Sequence, residues 1–321
     1  MNPKHDLINS PAFLVTGASG FIGRHLIRRI LMEFPEVRVV AQYRNNLLSD
    51  IDEKRVIPLR ADLSELPLRL KQHENLPIWY SGVFHLAAFI PKTTEDDNAI
   101  KAIEANILGT YYLLQAVNGL TDRIVFTSTI DVYSPQLKNV TIREDSLIAC
   151  QTFYAASKIF GEMLIQKWRL QDPKFAAIVR LGHIYGPGEY AYKKLIPETI
   201  RRLLIGRQAV LFGNGEDLRD FIYVGDAVEG LFLAWCALSH GNVGPVNLVS
   251  GQSLTVRDVI GIICELASMP DFIDRCAGSA TSRSLRFDAS RAEKEIGFRA
   301  KTLFKDGVKH EIEWFKKEKV L

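Results

Sequence analysis

Tyr154 and Lys158, in the stretch YAASK, stand four residues apart, a spacing that sets a phenol and an ammonium on one face of a helix. Such a pair can handle the proton when a secondary alcohol is oxidised or a ketone reduced, because the oxygen loses or gains a proton while hydride moves at carbon. A free tyrosine, with a pKa of about 10, is a poor base at neutral pH. A cation beside the ring favours the phenolate and brings that pKa toward the working range. Thr129 ends the strand-like run RIVFTST, and its hydroxyl can hold the reacting oxygen against Tyr154. Taken alone, the spacing also describes any half-exposed helix. Its weight comes from the strand before it and from a place for a hydride carrier.

That place is TGASGFIG, Thr16 to Gly23, where Gly17, Gly20 and Gly23 recur every third residue between an apolar run and an amphipathic one. The first glycine permits the turn, the second lets backbone approach a pyrophosphate, and the third packs helix on strand. Phe21 and Ile22 open the helix whose free N–H groups then face the phosphates. About twenty residues further on, where a dinucleotide-binding unit carries an acidic residue, VVAQYRNN offers Tyr43 and then Arg44. An aspartate there would accept hydrogen bonds from the ribose hydroxyls and repel a 2′-phosphate. Tyrosine lifts the repulsion, and Arg44, helped by Arg24, can grip the phosphate through a charge-assisted fork. The cofactor expected is NAD or NADP, with Arg44 tilting the balance to NADP. The plain alternative leaves Arg44 over the adenine face or in solvent.

The elements that must position these residues are readable from hydrophobic pattern. FLVTG, VRVVAQY, RVIPL, SGVFHLAA and RIVFTST are apolar runs without polar alternation, as strands of a sheet covered on both faces should be. Helical segments lie between them, most clearly Asp96 to Val117. The expected fold class is α/β, a Rossmann-type doubly wound parallel sheet with a smaller, irregular α/β substrate-binding part. Residues 1–180 are assigned to the dinucleotide-binding domain, which is expected to take in about 224–250 as well, and 181–321 to the substrate-binding part. The C-terminal stretch from Lys301 reads as an amphipathic helix closing the smaller part.

A net charge of +3 over 321 residues, with no basic block, gives no reason to expect a nucleic-acid partner. No apolar run reaches membrane-spanning length, no signal-like segment opens the chain, and a cytoplasmic protein is expected. Cys150, Cys236, Cys264 and Cys276 form no metal-ligand spacing, so no metal is expected.

In these motifs the chain resembles the extended short-chain dehydrogenase/reductase family, in its NAD(P)-dependent nucleotide-sugar epimerase/dehydratase branch. The resemblance runs through TGASGFIG, ADL at Ala61, HLAA at His85, NILGT at Asn106, STIDVY at Ser128, YAASK, RLGHIYGPG at Arg180 and LRDFIYVGD at Leu218. It implies that Asp62 and Leu63 flank the adenine and that Leu86, Ala87 and Ala88 line the cofactor cleft. It implies catalytic roles for Thr129, Tyr154 and Lys158, with Lys158 also holding the nicotinamide ribose. Arg219 would meet the diphosphate of a nucleotide sugar, Phe212 would lie near its base, and the helix bearing Tyr111 and Tyr112 would pack into a homodimer. His85, Ser128 and Asn106 have plainer readings as a structural histidine, a strand-end cap and a backbone support.

Three departures matter. Dehydratases of the branch carry an aspartate and a glutamate where this chain has Ile130 and Asp131, which disfavours a 4,6-dehydratase. His183 replaces an asparagine that contacts substrate phosphates, leaving one hydrogen bond to give when neutral. Arg283 and Arg286 stand in for the branch's later arginine motif. The expected activity is redox chemistry at a hydroxyl or keto carbon, C4, of a nucleotide-diphosphate sugar, by an epimerase or a 4-ketoreductase. Alternatives are an NADPH-dependent reductase of a non-nucleotide ketone or aldehyde, and a non-catalytic nucleotide sensor. If Arg44 reads the 2′-phosphate, Arg44→Ala should weaken NADPH relative to NADH by about tenfold, the loss of one charge-assisted contact; equal binding of the two would remove Arg44 from cofactor choice.

Overall fold

Apolar runs that do not alternate become the strands of one parallel sheet, because only a sheet covered on both faces can bury them. A computed structural model of the chain describes residues 11–45, 51, 54–72, 76–93, 96–137, 140–190, 194–277 and 285–318. In chain order the first elements are β1 (Ala12–Thr16), α1 (Phe21–Glu33), β2 (Arg38–Tyr43), β3 (Val56–Arg60), α2 (Leu66–Gln72) and β4 (Gly82–His85). There follow α3 (Ala99–Ala102), α4 (Gly109–Ala116), β5 (Arg123–Thr129), β6 (Thr141–Ile142), α5 (Phe153–Trp168), β7 (Phe175–Leu181) and β8 (His183–Tyr185). The chain continues through α6 (Leu195–Leu204), β9 (Ala209–Phe212), β10 (Leu218–Tyr223), α7 (Val224–Ala237), β11 (Val243–Leu248) and β12 (Ser253–Thr255). It ends with α8 (Val256–Leu266), β13 (Ile273–Cys276), β14 (Arg286–Phe287), α9 (Ser290–Ile296) and α10 (Phe304–Glu318).

The large sheet has seven parallel strands in the order β11-β7-β5-β4-β1-β2-β3. Leu26, Ile27 and Ile30 of α1 pack with Val228 and Leu231 of α7 and Ile296 of α9 on one face. Leu113 of α4 and Ile165 and Trp168 of α5 cover the other with Leu66 of α2. The strand order reverses between β1 and β4, which opens a crevice at their carboxyl ends. Stretches that read as irregular supply β8, β10 and β12 of a three-stranded sheet and β9 of a two-stranded one. These strands are three to six residues long, too short for a periodic signal. Their apolar centre joins Ile196 and Ile200 of α6, Ile260 of α8 and Ile312 and Phe315 of α10.

The segment read as one helix from Asp96 is interrupted. Residues Ile103–Leu108 form a π-helical turn between α3 and α4, closed by the Gly109 amide on the Glu104 carbonyl. Such an insertion rotates the helix by a residue and is common beside functional sites. Here it turns Asn106 inward, 2 % exposed.

Helix α5 is fixed to the sheet by a buried ion pair. Arg180 of β7 donates through Nε and Nη2 to the two carboxyl oxygens of Glu162 at 2.9 and 2.8 Å, and the Ser128 hydroxyl of β5 donates to Glu162 at 2.5 Å. The third face of the guanidinium reaches the Tyr133 hydroxyl and the Glu144 carbonyl at 2.9 and 3.1 Å. Tyr133 donates in turn to Asn247 of β11 at 2.6 Å. Both ion-pair side chains are 3 % exposed, so breaking the pair from one side strands a charge. Arg180→Leu should therefore lower the unfolding free energy in urea by about 3–5 kcal/mol. The double variant with Glu162→Leu should recover part of that loss, and a single variant as stable as wild type would show that the pair does not hold α5.

Candidate active site

The glycine turn is built for close approach. Gly17 has φ +67°, and a Cβ there would sit 2.8 Å from the Ala87 amide nitrogen. A Cβ on Gly23 would fall 2.5 Å from the Gly17 carbonyl oxygen, so α1 can lie on the turn only without a side chain at that position. Gly20 caps α1 with no side-chain hydrogen bond and no acidic residue follows in the first turn, which leaves the amides of Phe21, Ile22 and Gly23 to an anion. These features fit a dinucleotide pyrophosphate. Gln42, at the end of β2, holds the turn from behind: its Oε1 accepts from the Gly17 amide at 3.1 Å, and its Nε2 donates to the Ala61 carbonyl at 2.7 Å.

Beside it, Tyr43 is 9 % exposed while Arg44 lies on the surface, its Nη1 4.0 Å from Asp62. Asp62 also caps the short 3₁₀ turn that begins at Leu63. Arg24 donates through Nε to the Ser19 carbonyl at 2.9 Å, within the glycine turn. Arg44 therefore has a carboxylate neighbour that would oppose a 2′-phosphate as well as a guanidinium that would attract one, and an exposed pair of this kind is worth about 0–1 kcal/mol.

The crevice wall opposite is tied together through His85. Thr110 donates its hydroxyl to the Asn106 carbonyl at 2.6 Å, so it accepts from His85 Nε2–H at 3.0 Å. Nδ1 then accepts from the Thr16 hydroxyl at 2.7 Å, and Thr16 accepts from the Ala87 amide at 3.2 Å. Complete burial, with Lys158 adding to it, brings the His85 pKa down to about 3, and the ring is a neutral tie at every working pH. Leu86, Ala87 and Ala88 follow as half-buried residues along the crevice. The Asn106 side chain accepts from the Phe89 amide at 2.7 Å and donates to its carbonyl at 3.0 Å and to Ser157 at 2.8 Å. Ser157 donates to the Tyr154 carbonyl at 2.7 Å.

Tyr154 is thus placed from both ends. Asp97 accepts from the Phe153 and Tyr154 amides at 2.8 and 3.1 Å, and Thr152 caps Ala155 at 3.0 Å. One turn on, Lys158 points under the end of β5 and donates to the Thr127 carbonyl at 2.8 Å. Burial lowers its pKa to about 8, against the opposing charge of Glu162 one turn further along the same face. Thr129 ends β5, and its hydroxyl lies 3.2 Å from Asp131 Oδ2. Ile130 is 5 % exposed, packed with Val132, Tyr133, Ile142, Val249 and Phe287, whereas Asp131 is exposed.

Beyond Asp131 lies a pocket of ≈ 210 Å³ whose polar wall is His183, Glu189, Lys194 and Arg219. His183 Nδ1 is 3.3 Å from the Asp220 carbonyl, which engages the one N–H of the neutral ring and leaves Nε2 as an acceptor. The hydrogen bond that a neutral His183 is expected to give a phosphate is therefore already made inside the protein. Burial holds its pKa below the ordinary value, with Arg219 and Lys194 lowering it and Asp131 raising it. Arg219 lines the pocket and pairs with Asp217 at 3.3 Å. Its neighbour Asp220 is completely buried, accepting from the Ser250 and Gly251 amides at 2.8 and 2.9 Å, and burial raises its pKa to about 6. Phe212 does not line this pocket: it is 69 % exposed at the end of β9, so it can meet a base only where a ligand extends beyond the cavity. Arg283 lies outside the described residues, and Arg286 starts β14.

Gln42, Asp97, Ser157, Glu162 and Arg180 are the positioning residues that sequence reading passes over. Glu162 alone carries a local signal, since it continues the four-residue spacing of Tyr154 and Lys158.

Residues 13–248 match the NAD dependent epimerase/dehydratase family. The chain is 28% identical to the UDP-N-acetyl-alpha-D-glucosaminuronate decarboxylase of Bacillus cytotoxicus, over 94% of this chain and 97% of that protein. It is also 28% identical to the dTDP-glucose 4,6-dehydratase of Escherichia coli, over 94% of this chain and 92% of that one. Among solved structures it is similar to MoeE5 in complex with UDP-glucose and NAD, with a TM-score of 0.82, 28% identity and coverage of 96% of this chain and 99% of that one. A dehydratase is as similar as a decarboxylase, so the expectation against elimination that Ile130 raises has no support from likeness. Glycine turn, seven-stranded parallel sheet and match lead to one conclusion: the chain belongs to the NAD-dependent epimerase/dehydratase family.

Proposed function

We propose that the protein binds NAD at the glycine turn and interconverts hydroxyl and keto forms at C4 of a nucleotide-diphosphate sugar, as an epimerase or a 4-ketoreductase. The observation that carries this reading is the buried Lys158 ammonium, bonded to the Thr127 carbonyl on the helix face that bears Tyr154. When bound, the dinucleotide supplies the hydride acceptor and donor. Gly17, Gly20 and Gly23 with the amides of Phe21 and Ile22 hold its pyrophosphate, and Leu86 to Ala88 line its cleft. Asp62 and Leu63 are suited to its adenosine end, and Lys158 to its ribose.

Tyr154 takes the proton from the sugar hydroxyl and returns it on reduction. Lys158 favours the phenolate by charge, and Thr129 holds the same oxygen by hydrogen bond. Arg219 is suited to the diphosphate end, with Phe212 toward the base, while His183 can serve that end only once its ring gains a proton. The MoeE5 complex, which contains UDP-glucose and NAD, supports this ligand pair. The ketoreductase form has one observation on its side, the exposed Arg44 guanidinium just after β2, which suits exchangeable NADPH where a 2′-phosphate displaces its Asp62 contact. Exposed Tyr111 on α4 and Phe160 and Met163 on α5 support a homodimer through that face.

Denaturing the purified protein should release near-stoichiometric NAD if the sugar is oxidised and reduced again on the enzyme. An NADPH-loaded or empty site would select the reductase. Tyr154→Phe should cut turnover of UDP-, dTDP-, GDP- or CDP-sugars by about 10²–10⁴-fold, the usual contribution of a positioned acid or base; turnover equal to wild type would refute the proton assignment. Product analysis on the same panel separates epimer, reduced sugar and dehydrated sugar.

A further inference from the structure

Both arginine and lysine of the pocket are already neutralised. Arg219 pairs with Asp217 at 3.3 Å, and Lys194 donates to Glu189 at 2.5 Å. The two pairs differ in depth, since Asp217 is partly exposed while Glu189 is 2 % exposed. Water can solvate Asp217 if Arg219 turns away. Nothing of the kind is open to Glu189.

Next to Glu189 lies a second carboxyl that the proposed chemistry does not use. Glu311 of α10 is completely buried, and among the described residues neither of its carboxyl oxygens has a hydrogen-bond partner of good geometry. Helix spacing brings it there: Val308, Ile312 and Phe315 are core residues, and position 311 shares their face. Gly307, one turn earlier, lets α10 close directly on the Tyr185 ring, and the turn from Gly186 to Glu189 continues from that strand. Burial raises the Glu311 pKa well above the ordinary carboxyl range, the Glu189 charge adds to the rise, and the Gly186 amide and Lys194 oppose it. Burial raises that of Glu189 too, against the pull of Lys194. Two carboxyls close together in one dry site resist double ionisation, which favours a single negative charge on the pair, balanced by Lys194.

We propose that the Glu189–Glu311 pair takes up a second proton when Lys194 turns to an anionic ligand in the pocket, so that capture of a nucleoside diphosphate group is proton-linked. This rests on the reading that the pocket takes the diphosphate of a nucleotide sugar. Lys194 cannot serve a phosphate and fully neutralise Glu189 at once, and a buried carboxylate left without its cation is destabilised far more than a buried carboxylic acid. The proton bonds to a Glu189 oxygen and comes from solvent, leaving both carboxyls neutral and the lysine charge on the phosphate. The sign follows from linkage: a group whose pKa is higher in the complex than in the free protein takes up a proton on binding. Affinity then rises as pH falls through the interval between the two values and is flat outside it.

Other titratable groups face the same space. His183 faces Asp131, Arg219 and Lys194 and can also gain a proton beside a phosphate. Tyr185 faces Glu311, Asp226, Tyr223 and Asp306, and Tyr223 faces Glu311 and Asp226; burial pushes both phenols up, so they stay protonated.

The test is calorimetric titration of the full chain with UDP, dTDP, GDP and CDP near neutral pH, in two buffers of different ionisation enthalpy, which counts protons taken up on binding. Wild type should take up about one proton and bind up to about tenfold more tightly per unit fall in pH within the linked interval. Glu189→Gln should lose the uptake, and His183→Asn should keep it. Binding without uptake in wild type overturns the proposal alone, and it does so whether or not Glu189→Gln folds. Uptake that survives Glu189→Gln and disappears in His183→Asn also overturns it, by assigning the proton to the imidazole. If none of the four diphosphates binds, the nucleotide-sugar reading fails and this proposal with it.

Discussion

Keeping a lysine charged inside a protein sets the terms for everything around this crevice. The Lys158 ammonium has left water, and the site holds it with one backbone carbonyl, Thr127, and one carboxylate a helical turn away, Glu162. That carboxylate is itself buried and is tolerated because Arg180 meets it with two hydrogen bonds. Arg180 then reaches Tyr133, which donates to Asn247, so the charge balance of one lysine runs through β5, α5, β7 and β11. Moving any of these elements would leave a buried charge without its partner. The geometry of Tyr154 and Lys158 is therefore a property of the sheet rather than of one helix.

The opposite wall uses uncharged groups for the same purpose. His85 is neutral and ties Thr16, at the glycine turn, to Thr110 on the helix beyond the π-helical turn. Asn106 carries the link on to Phe89 and to Ser157, whose hydroxyl holds the Tyr154 carbonyl. The glycine turn and Tyr154 are thus held in one hydrogen-bonded frame. In the proposed reaction, such a frame would keep a hydride carrier and a tyrosine in register without requiring either to move.

What the sequence makes legible follows the range of the interactions. Gly17, Gly20 and Gly23 are a local device, and their role depends on the strand and helix immediately beside them. The buried strands announce themselves by lack of alternation, and the four-residue spacing of Tyr154 and Lys158 survives folding unchanged. Asp97 caps a helix 56 residues away, and Gln42 supports a glycine 25 residues before it, so neither has a local pattern. The π-helical turn is invisible to a reading by 3.6-residue period, because it adds a residue without changing composition. His183 was legible as a ligand-side residue only in type, since the donor it keeps for itself is fixed by the Asp220 carbonyl on another strand. Glu311 shows the reverse: its place on the apolar face of α10 is readable from Val308, Ile312 and Phe315, but its polar type hides its burial.

In the proposed reaction, Lys158 sets the proton affinity of Tyr154. The most direct measurement is the pH dependence of kcat, in wild type and in Lys158→Met, for the nucleotide sugar that the wild-type protein converts fastest. Without the ammonium the phenolate loses its stabilising charge, so the acidic limb of the profile should move toward the ordinary tyrosine value of about 10, by roughly a unit or more, and the plateau should fall. A Lys158→Met profile that keeps the wild-type limb, with only its height reduced, would contradict the account and leave Lys158 as a cofactor-binding residue alone.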